Sequence, residues 1–144
     1  MPKSTAMCNA VLGLYYNASA IADIADNDAT SPITAVEVAL ATASYSASST
    51  LASNESTYTN YARQSTARTT GGWSAPSGGA TANAAAIEFP QCGVTGNTIV
   101  AAATGKPGGG SAQIFHYGDL NASIAVSNQI QPRFPIGSVT ITET

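Results

Sequence analysis

Charge is what this sequence has least of. Asp, Glu, Lys and Arg make up 9% of its 144 residues, whereas about 25% is usual in a globular protein. Ala, Ser, Thr, Gly and Asn take their place. Surface charge normally keeps a free monomer in solution. Two interpretations therefore stand side by side: neighbouring molecules cover much of the surface, or the surface is neutral and hydrated.

Basic clusters and long apolar runs are missing too. The net charge is −3 and the five basic residues are scattered, so there is no electrostatic footprint for nucleic acid. No apolar run approaches the roughly 18 residues of a transmembrane helix, and no basic amphipathic helix indicates a membrane surface. We predict that neither nucleic acid nor a membrane is a partner. The basic residues are Lys3, Arg63, Arg68, Lys106 and Arg133.

Residues that carry chemistry are equally scarce. His116 is the single histidine, and its sequence neighbours make no Ser-His-Asp or Cys-His arrangement. Neither Cys8 nor Cys92 lies in a motif that would lower the pKa of its thiol. The two could pair, although two buried thiols are the commoner outcome. We predict no enzymatic activity and no cofactor.

Two segments superficially suggest a ligand. Asp23, Asp26 and Asp28 bring three carboxylates together, and oxygen-rich turns of this kind can hold calcium. Their spacing is not that of a helix–loop–helix calcium site, so a helix-ending turn is favoured and calcium stays the alternative. Residues 105–110 are glycine-rich around Lys106, but Pro107 stands where a phosphate loop needs Ser or Thr. We interpret that segment as a flexible turn.

The hydrophobic periodicity predicts one helix followed by short strands. An apolar stripe with helical spacing runs through residues 7–26. Alternation and strand-forming side chains indicate strands along the rest of the chain, with a long loop at 42–57 and a glycine-rich turn around Trp73. The helical stripe consists of Ala10, Val11, Leu14, Ala18, Ile21 and Ala25. The predicted strands are 33–40, 58–64, 83–90, 98–101 and three or four within 113–142. For 33–40 a helix is the alternative, because its alanine-rich sequence tolerates both.

These elements predict a mainly β chain. Roughly six to eight short strands with frequent turn signals are typical of an antiparallel β-sandwich or jelly roll. The length fits one domain, 1–144, in which residues 1–32 form a helical arm and 33–144 the sandwich. Three side chains, Tyr61, Arg63 and Trp73, are of the types enriched at interface anchors. We predict them as interface residues, with a core position as the alternative for Trp73.

Several short motifs resemble a family of small virion proteins of tailed bacteriophages, which are described as tail fibre or structural proteins. They are YARQ at 61–64, the segment with Trp73, NAAAIEFP at 83–90, HYGDL at 116–120, IAV at 124–126 and the end from Phe134 to Ile141. The resemblance implies a virion structural protein without catalytic residues. Residues 91–112 depart from it, because they lack the aromatic and apolar core strand expected there, and this leaves the sheet pairing of the region open.

Within that class, two roles fit the sequence. The favoured one is a capsid decoration or cement protein on the outer capsid surface. Its expected partners are the major capsid protein and further copies of itself, in a homotrimer. The sequence contains none of the heptads or repeats that would build the trimeric shaft of a fibre, which favours decoration. The alternative is a tail fibre or adsorption protein that binds a host-surface glycan by stacking Trp73 or a tyrosine on a sugar ring.

Overall fold

The computed structural model describes residues 3–21, 32–108 and 113–144. Within them the chain is mainly β, with antiparallel pairing and a short N-terminal helix, which confirms the predicted fold class. The jelly-roll arrangement stays a prediction. The elements are α1 (Thr5–Asn17), β1 (Ala35–Ala41), β2 (Gln64–Ala67), β3 (Ala80–Ala82), β4 (Ile87–Glu88), β5 (Thr98–Gly105), β6 (Ile114–Ala125), β7 (Arg133–Phe134) and β8 (Thr140–Thr142).

The strands form three sheets. The largest has the order β2-β1-β5-β6, and the pairs β3-β8 and β4-β7 make two small ones. The chain divides into two compact units that alternate along the sequence. Unit 1 comprises Met1–Ala35, Thr66–Ile87 and Phe134–Thr144, and unit 2 comprises Val36–Ser65 and Glu88–Arg133. The expectation of one domain over 1–144 stays a prediction.

Helix α1 is shorter than predicted and buries a different stripe. Its N-cap is Ser4, whose hydroxyl accepts from the Met7 N–H at 3.2 Å, the usual role of a capping serine. The helix ends because Ala18 takes a left-handed conformation with φ 55°, and the Ser19 N–H then bonds to the Gly13 carbonyl at 3.0 Å. The buried side chains are Cys8, Leu12 and Tyr16, so the predicted stripe is wrong. Residues 22–26 lie outside the described residues, and none of the described helices is long and apolar enough to span a membrane.

Strand β1 confirms the prediction for 33–40, while β5 corrects the one for 98–101. The β5 strand continues to Gly105 and lies between β1 and β6. Ala39 pairs with Ala103 and Ala41 with Ala101, so one face of the sheet is lined by alanine. Residues 91–112 therefore supply a central strand after all, built from small side chains where aromatic ones were expected.

The strands predicted at 58–64 and 83–90 form over only part of those residues. Residues 58–63 are not a strand, because Asn60 has φ 76° and the Tyr61 N–H closes a turn onto the Tyr58 carbonyl. Regular strand pairing in this region begins only at Gln64, the first residue of β2. Residues 83–86 are not a strand either, since Asn83 makes only an isolated bridge to Trp73. Its side chain instead binds the C-terminal segment: the oxygen accepts from the Val139 N–H at 2.9 Å and the amide donates to the Pro135 carbonyl at 2.8 Å.

The C-terminal segment contains three strands, within the predicted three or four. Gly118 and Asn121 are residue types that predict a turn between two of these strands, and this prediction is wrong, because β6 runs through both of them. Its register against β5 shifts between Ile99 and Ala101, so the extra residues of β6 are absorbed by a bulge rather than by a reversal of the chain. Among the described strands, β6 lies at the edge of the sheet, with β5 as its neighbour.

Candidate functional site

The segment 42–57, here called the covering loop, is fastened at both ends to the sheet of unit 2. The Thr42 N–H donates to the Asn54 carbonyl and the Ser56 N–H to the Leu40 carbonyl, each at 2.8 Å. An antiparallel bridge joins Ala41 to Glu55. The prediction of a long loop is thus confirmed. A loop of this length without regular structure is uncommon unless it has a function or packs on something.

The alanine face of the sheet receives the covering loop. Tyr45 and Leu51 of the loop are buried in one cluster with the alanines of β1 and β5, against which Ile114 of β6 also packs. A Cβ added at Gly105 would come within 2.9 Å of the Leu51 Cδ1. Because the strands carry such small side chains, the loop can lie close to the sheet and fill the space with its own apolar residues. The alanines are Ala39, Ala41, Ala101 and Ala103.

Arg63 joins the loop to the sheet by charge. Its Nε donates to Glu55 Oε1 at 2.7 Å and its Nη2 to Glu55 Oε2 at 2.9 Å, while Nη1 donates to Glu37 Oε2 at 3.1 Å. The first two bonds form the two-pronged contact that favours arginine over lysine. Hydrogen bonding to Glu55 is the main reason why the pKa of Arg63 is raised above its ordinary value.

Tyr61 completes this network. Its hydroxyl donates to Glu55 Oε1 at 3.1 Å and accepts from the Leu40 N–H at 3.0 Å, and its ring stacks on Phe89 with centroids 6.3 Å apart. The structure therefore brings Tyr61 and Arg63 together on one carboxylate. Their predicted interface role stays a prediction. Glu37 and Glu55 were missed, although Glu37 interrupts an otherwise apolar strand, which is a signal for a paired charge.

Trp73 lies in unit 1, and its side chain is completely buried. Its ring contacts Tyr16 of α1 with centroids 4.7 Å apart. The indole N–H donates to the Thr66 hydroxyl at 3.0 Å, and the Trp73 carbonyl accepts from the Asn17 amide at 3.1 Å. These contacts support the core position that the sequence left open for Trp73.

A surface cleft of about 500 Å³ opens beside the covering loop. One wall is the Ser/Thr-rich part of the loop, in which the Ser46 N–H donates to the Ser49 hydroxyl at 3.0 Å. The other wall is the start of β6, where Tyr117 is 47% exposed and its ring tilts against Tyr45 at 6.2 Å. The described residues that line the cleft are all uncharged: Ser46, Ala47, Ser49, Thr50, Gln113, Ile114, Phe115 and Tyr117.

Buried tyrosines make the stability sensitive to alkaline pH. Burial raises the pKa of Tyr45 and of Tyr58 to about 12, and burial also raises the pKa of Tyr61. Between the unfolded value of about 10 and these folded values, the folded state holds more protons than the unfolded state, so stability must fall as pH rises. We expect urea unfolding curves to show this loss from about pH 10 upward.

Tyr45→Phe provides the control. The Tyr45 hydroxyl is buried with no hydrogen-bond partner among the described residues, so its removal should not destabilise the protein at neutral pH. The loss at alkaline pH should be smaller in this variant. Full tyrosinate absorbance near pH 10 without unfolding would contradict the assignment.

The structure describes two buried cysteines, Cys8 and Cys92, and both are free thiols. Among residues 3–21, 32–108 and 113–144, no group of three or more His, Cys, Asp or Glu side chains could hold a metal ion. The possible calcium turn at Asp23, Asp26 and Asp28 lies outside these described residues. Of Gly105–Gly110, residues 109 and 110 are likewise undescribed.

A family model described as "Podophage GP4 fiber I protein gp80" matches residues 14–142. The chain therefore belongs to this family of phage fibre proteins, and the suspected relationship to tail fibre-like virion proteins is confirmed. A search of curated proteins gave no match.

Proposed function

We propose that this protein is a subunit of the phage adsorption apparatus, exposed at a fibre, whose role is structural and adhesive rather than enzymatic. The observation that carries the proposal is the family match over residues 14–142, because the family description names a fibre protein. Capsid decoration, favoured by the sequence alone, becomes the second candidate.

The construction of unit 2 supports an adhesive role. The covering loop displays Ser and Thr side chains, yet it is held at its base by Arg63 and underneath by Leu51. A loop positioned by a rigid scaffold is the usual way in which proteins present a binding surface. The low charge of the chain also suits a surface that contacts other molecules over much of its area.

The same low charge supports the second candidate. A cement protein would bury a neutral surface against the major capsid protein, and many weak contacts would act together over the lattice by avidity. In that role we propose a homotrimer on the outer capsid surface, with Tyr61 and Arg63 near its contacts. Neither candidate role uses a cofactor, nucleic acid or a membrane.

The copy number of the protein in purified virions separates the two roles. We expect quantitative mass spectrometry to find far fewer copies than of the major capsid protein, because fibres occupy few positions on a virion while decoration follows the whole lattice. Gold-labelled antibody should mark the tail. Copy numbers close to that of the capsid protein, with label on the head, would establish decoration instead, and absence from virions would overturn both roles.

A further inference from the structure

We propose that the cleft between the covering loop and β6 binds a neutral sugar unit of a surface oligosaccharide. This proposal rests on the proposed adsorption role and deepens it. The cleft lies wholly within unit 2, since its residues come from 46–50 and 113–117. Its volume of about 500 Å³ falls in the range of small-molecule sites, about 300–1,000 Å³.

The lining matches the two sides of a sugar ring. A pyranose has an apolar face of C–H groups, and its hydroxyls both donate and accept hydrogen bonds. Tyr117 offers an aromatic ring, 47% exposed, on which such a face can stack, while its hydroxyl provides a polar end. Ser46, Ser49 and Thr50 line the same cleft, and their hydroxyls act as donors and acceptors alike. An amide, Gln113, adds both functions in one side chain.

Charge selects against acidic sugars. Among the residues that the structure describes, neither Lys nor Arg lines the cleft, so a carboxylate or phosphate would lose its hydration without gaining a cationic partner there. Asp119 stands two residues beyond Tyr117 on β6, fastened to the Ser44 hydroxyl at 3.0 Å. A carboxylate two residues from Tyr117 on the same strand disfavours anionic ligands further. The class of ligand is therefore a neutral hexose or deoxyhexose rather than a sialic acid, a uronic acid or a sugar phosphate.

The walls are held before any ligand arrives. Tyr117 pairs with Ala103 in the β5–β6 ladder, and its ring leans on the buried Tyr45. The hydroxyl wall is a turn closed by the Ser49 N–H onto the Ser46 carbonyl at 3.0 Å, and by the Ser46 N–H onto the Ser49 hydroxyl. A site ordered in advance loses less entropy on binding.

A second copy of the chain is the competing occupant of this region. Edge strands such as β6 present backbone groups that another strand can pair with. The cleft has features that strand pairing does not require, namely an exposed aromatic ring and several hydroxyl side chains in one lining. For this reason we favour the sugar and treat self-association as an outcome of the test.

The test is binding of the full chain to an array of bacterial oligosaccharides containing neutral, carboxylated and phosphorylated members. We expect retention on neutral members, unchanged by added salt. Tyr117→Ala should weaken binding to the best neutral member about tenfold. Thr50→Val removes one hydroxyl with little change of shape and should weaken it several-fold, which keeps the test valid if the tyrosine variant does not fold. Tyr15→Ala, which truncates another exposed tyrosine in unit 1, should bind like the unmodified protein.

Three results would overturn the proposal: no binding to neutral members, preference for acidic ones, or equal binding by the Tyr117 and Tyr15 variants. Analytical ultracentrifugation of the same proteins adds a fourth, in which Tyr117→Ala changes only the oligomeric state and the region is a subunit contact. None of these results bears on the copy number and location of the protein in virions. Loss of the sugar site with label still on the tail would therefore leave the fibre role intact.

Discussion

Trp73→Ala is expected to lower the free energy of unfolding by about 3–5 kcal/mol, the range for removal of a buried large aromatic side chain. The side chain is completely buried, and it contacts Tyr16 of α1, so its loss leaves a cavity beside the helix. It also leaves the Thr66 hydroxyl without its indole partner. Because domains are commonly stable by about 5–15 kcal/mol, this change should bring unit 1 close to unfolding. Since the variant has no tryptophan, far-ultraviolet circular dichroism in urea is the measurement.

Two further variants show whether the effect comes from packing. Trp73→Phe keeps an aromatic ring but loses the N–H, so it should cost distinctly less than Trp73→Ala. Ile136→Ala removes a side chain that is 69% exposed and should be close to neutral. A Trp73→Ala protein as stable as the unmodified chain would return Trp73 to the interface role predicted from sequence.

The alternation of apolar and polar residues correctly predicted strands and their buried faces where the pattern lies within one short segment. Val36, Val38 and Leu40 occupy alternate positions and are all buried in β1. Ile87 and Phe89 are buried with Glu88 exposed between them, as the prediction for 83–90 had it. At these positions the apolar side chains differ sharply from their neighbours, so the period of two is unambiguous.

The sequence-based predictions of core residues were wrong where alanine, rather than a large apolar side chain, occupies the core. Alanine has a low strand propensity, so the alanines of β5 did not predict a strand there. They are found in β5 because Leu51 of the covering loop packs close to this strand, which requires small side chains. In α1 likewise, the abundance of alanine made one stripe look apolar, whereas Leu12 and Tyr16 define the buried side. In a chain this rich in alanine, hydrophobic periodicity does not distinguish core positions from surface positions.

The candidate site could be predicted only in part. The loop at 42–57 and strand formers at 114–117 were both visible in the sequence, but nothing local indicates that they lie side by side. That placement follows from the order β1-β5-β6, which depends on pairing over long sequence distances. Arg63 shows the same limit: its residue type suggested an interface anchor, and its actual contacts are two glutamates of its own unit.

Arg63→Ala is expected to lower the free energy of unfolding by about 2–4 kcal/mol, between the cost of breaking a buried ion pair and that of a surface one. The Arg63 side chain is 13% exposed, and those of Glu37 and Glu55 are each 21% exposed. Removing the cation leaves two neighbouring carboxylates that repel each other and have lost the N–H donors of the guanidinium, although Glu55 keeps the Tyr61 hydroxyl. Because Glu55 fastens the base of the covering loop, amide hydrogen exchange should show the loop opening before the rest of unit 2.

The matched control is Arg133→Ala, which removes an exposed arginine and should change stability little. Adding Glu37→Gln and Glu55→Gln to Arg63→Ala should recover part of the lost stability, because the deficit comes from uncompensated charge as well as from lost hydrogen bonds. A deficit that is unaffected by the two glutamine substitutions would mean that Arg63 acts through the packing of its aliphatic stem. If Arg63→Ala instead unfolds like the unmodified chain yet fails to enter virions, its contribution lies at an interface and not within unit 2.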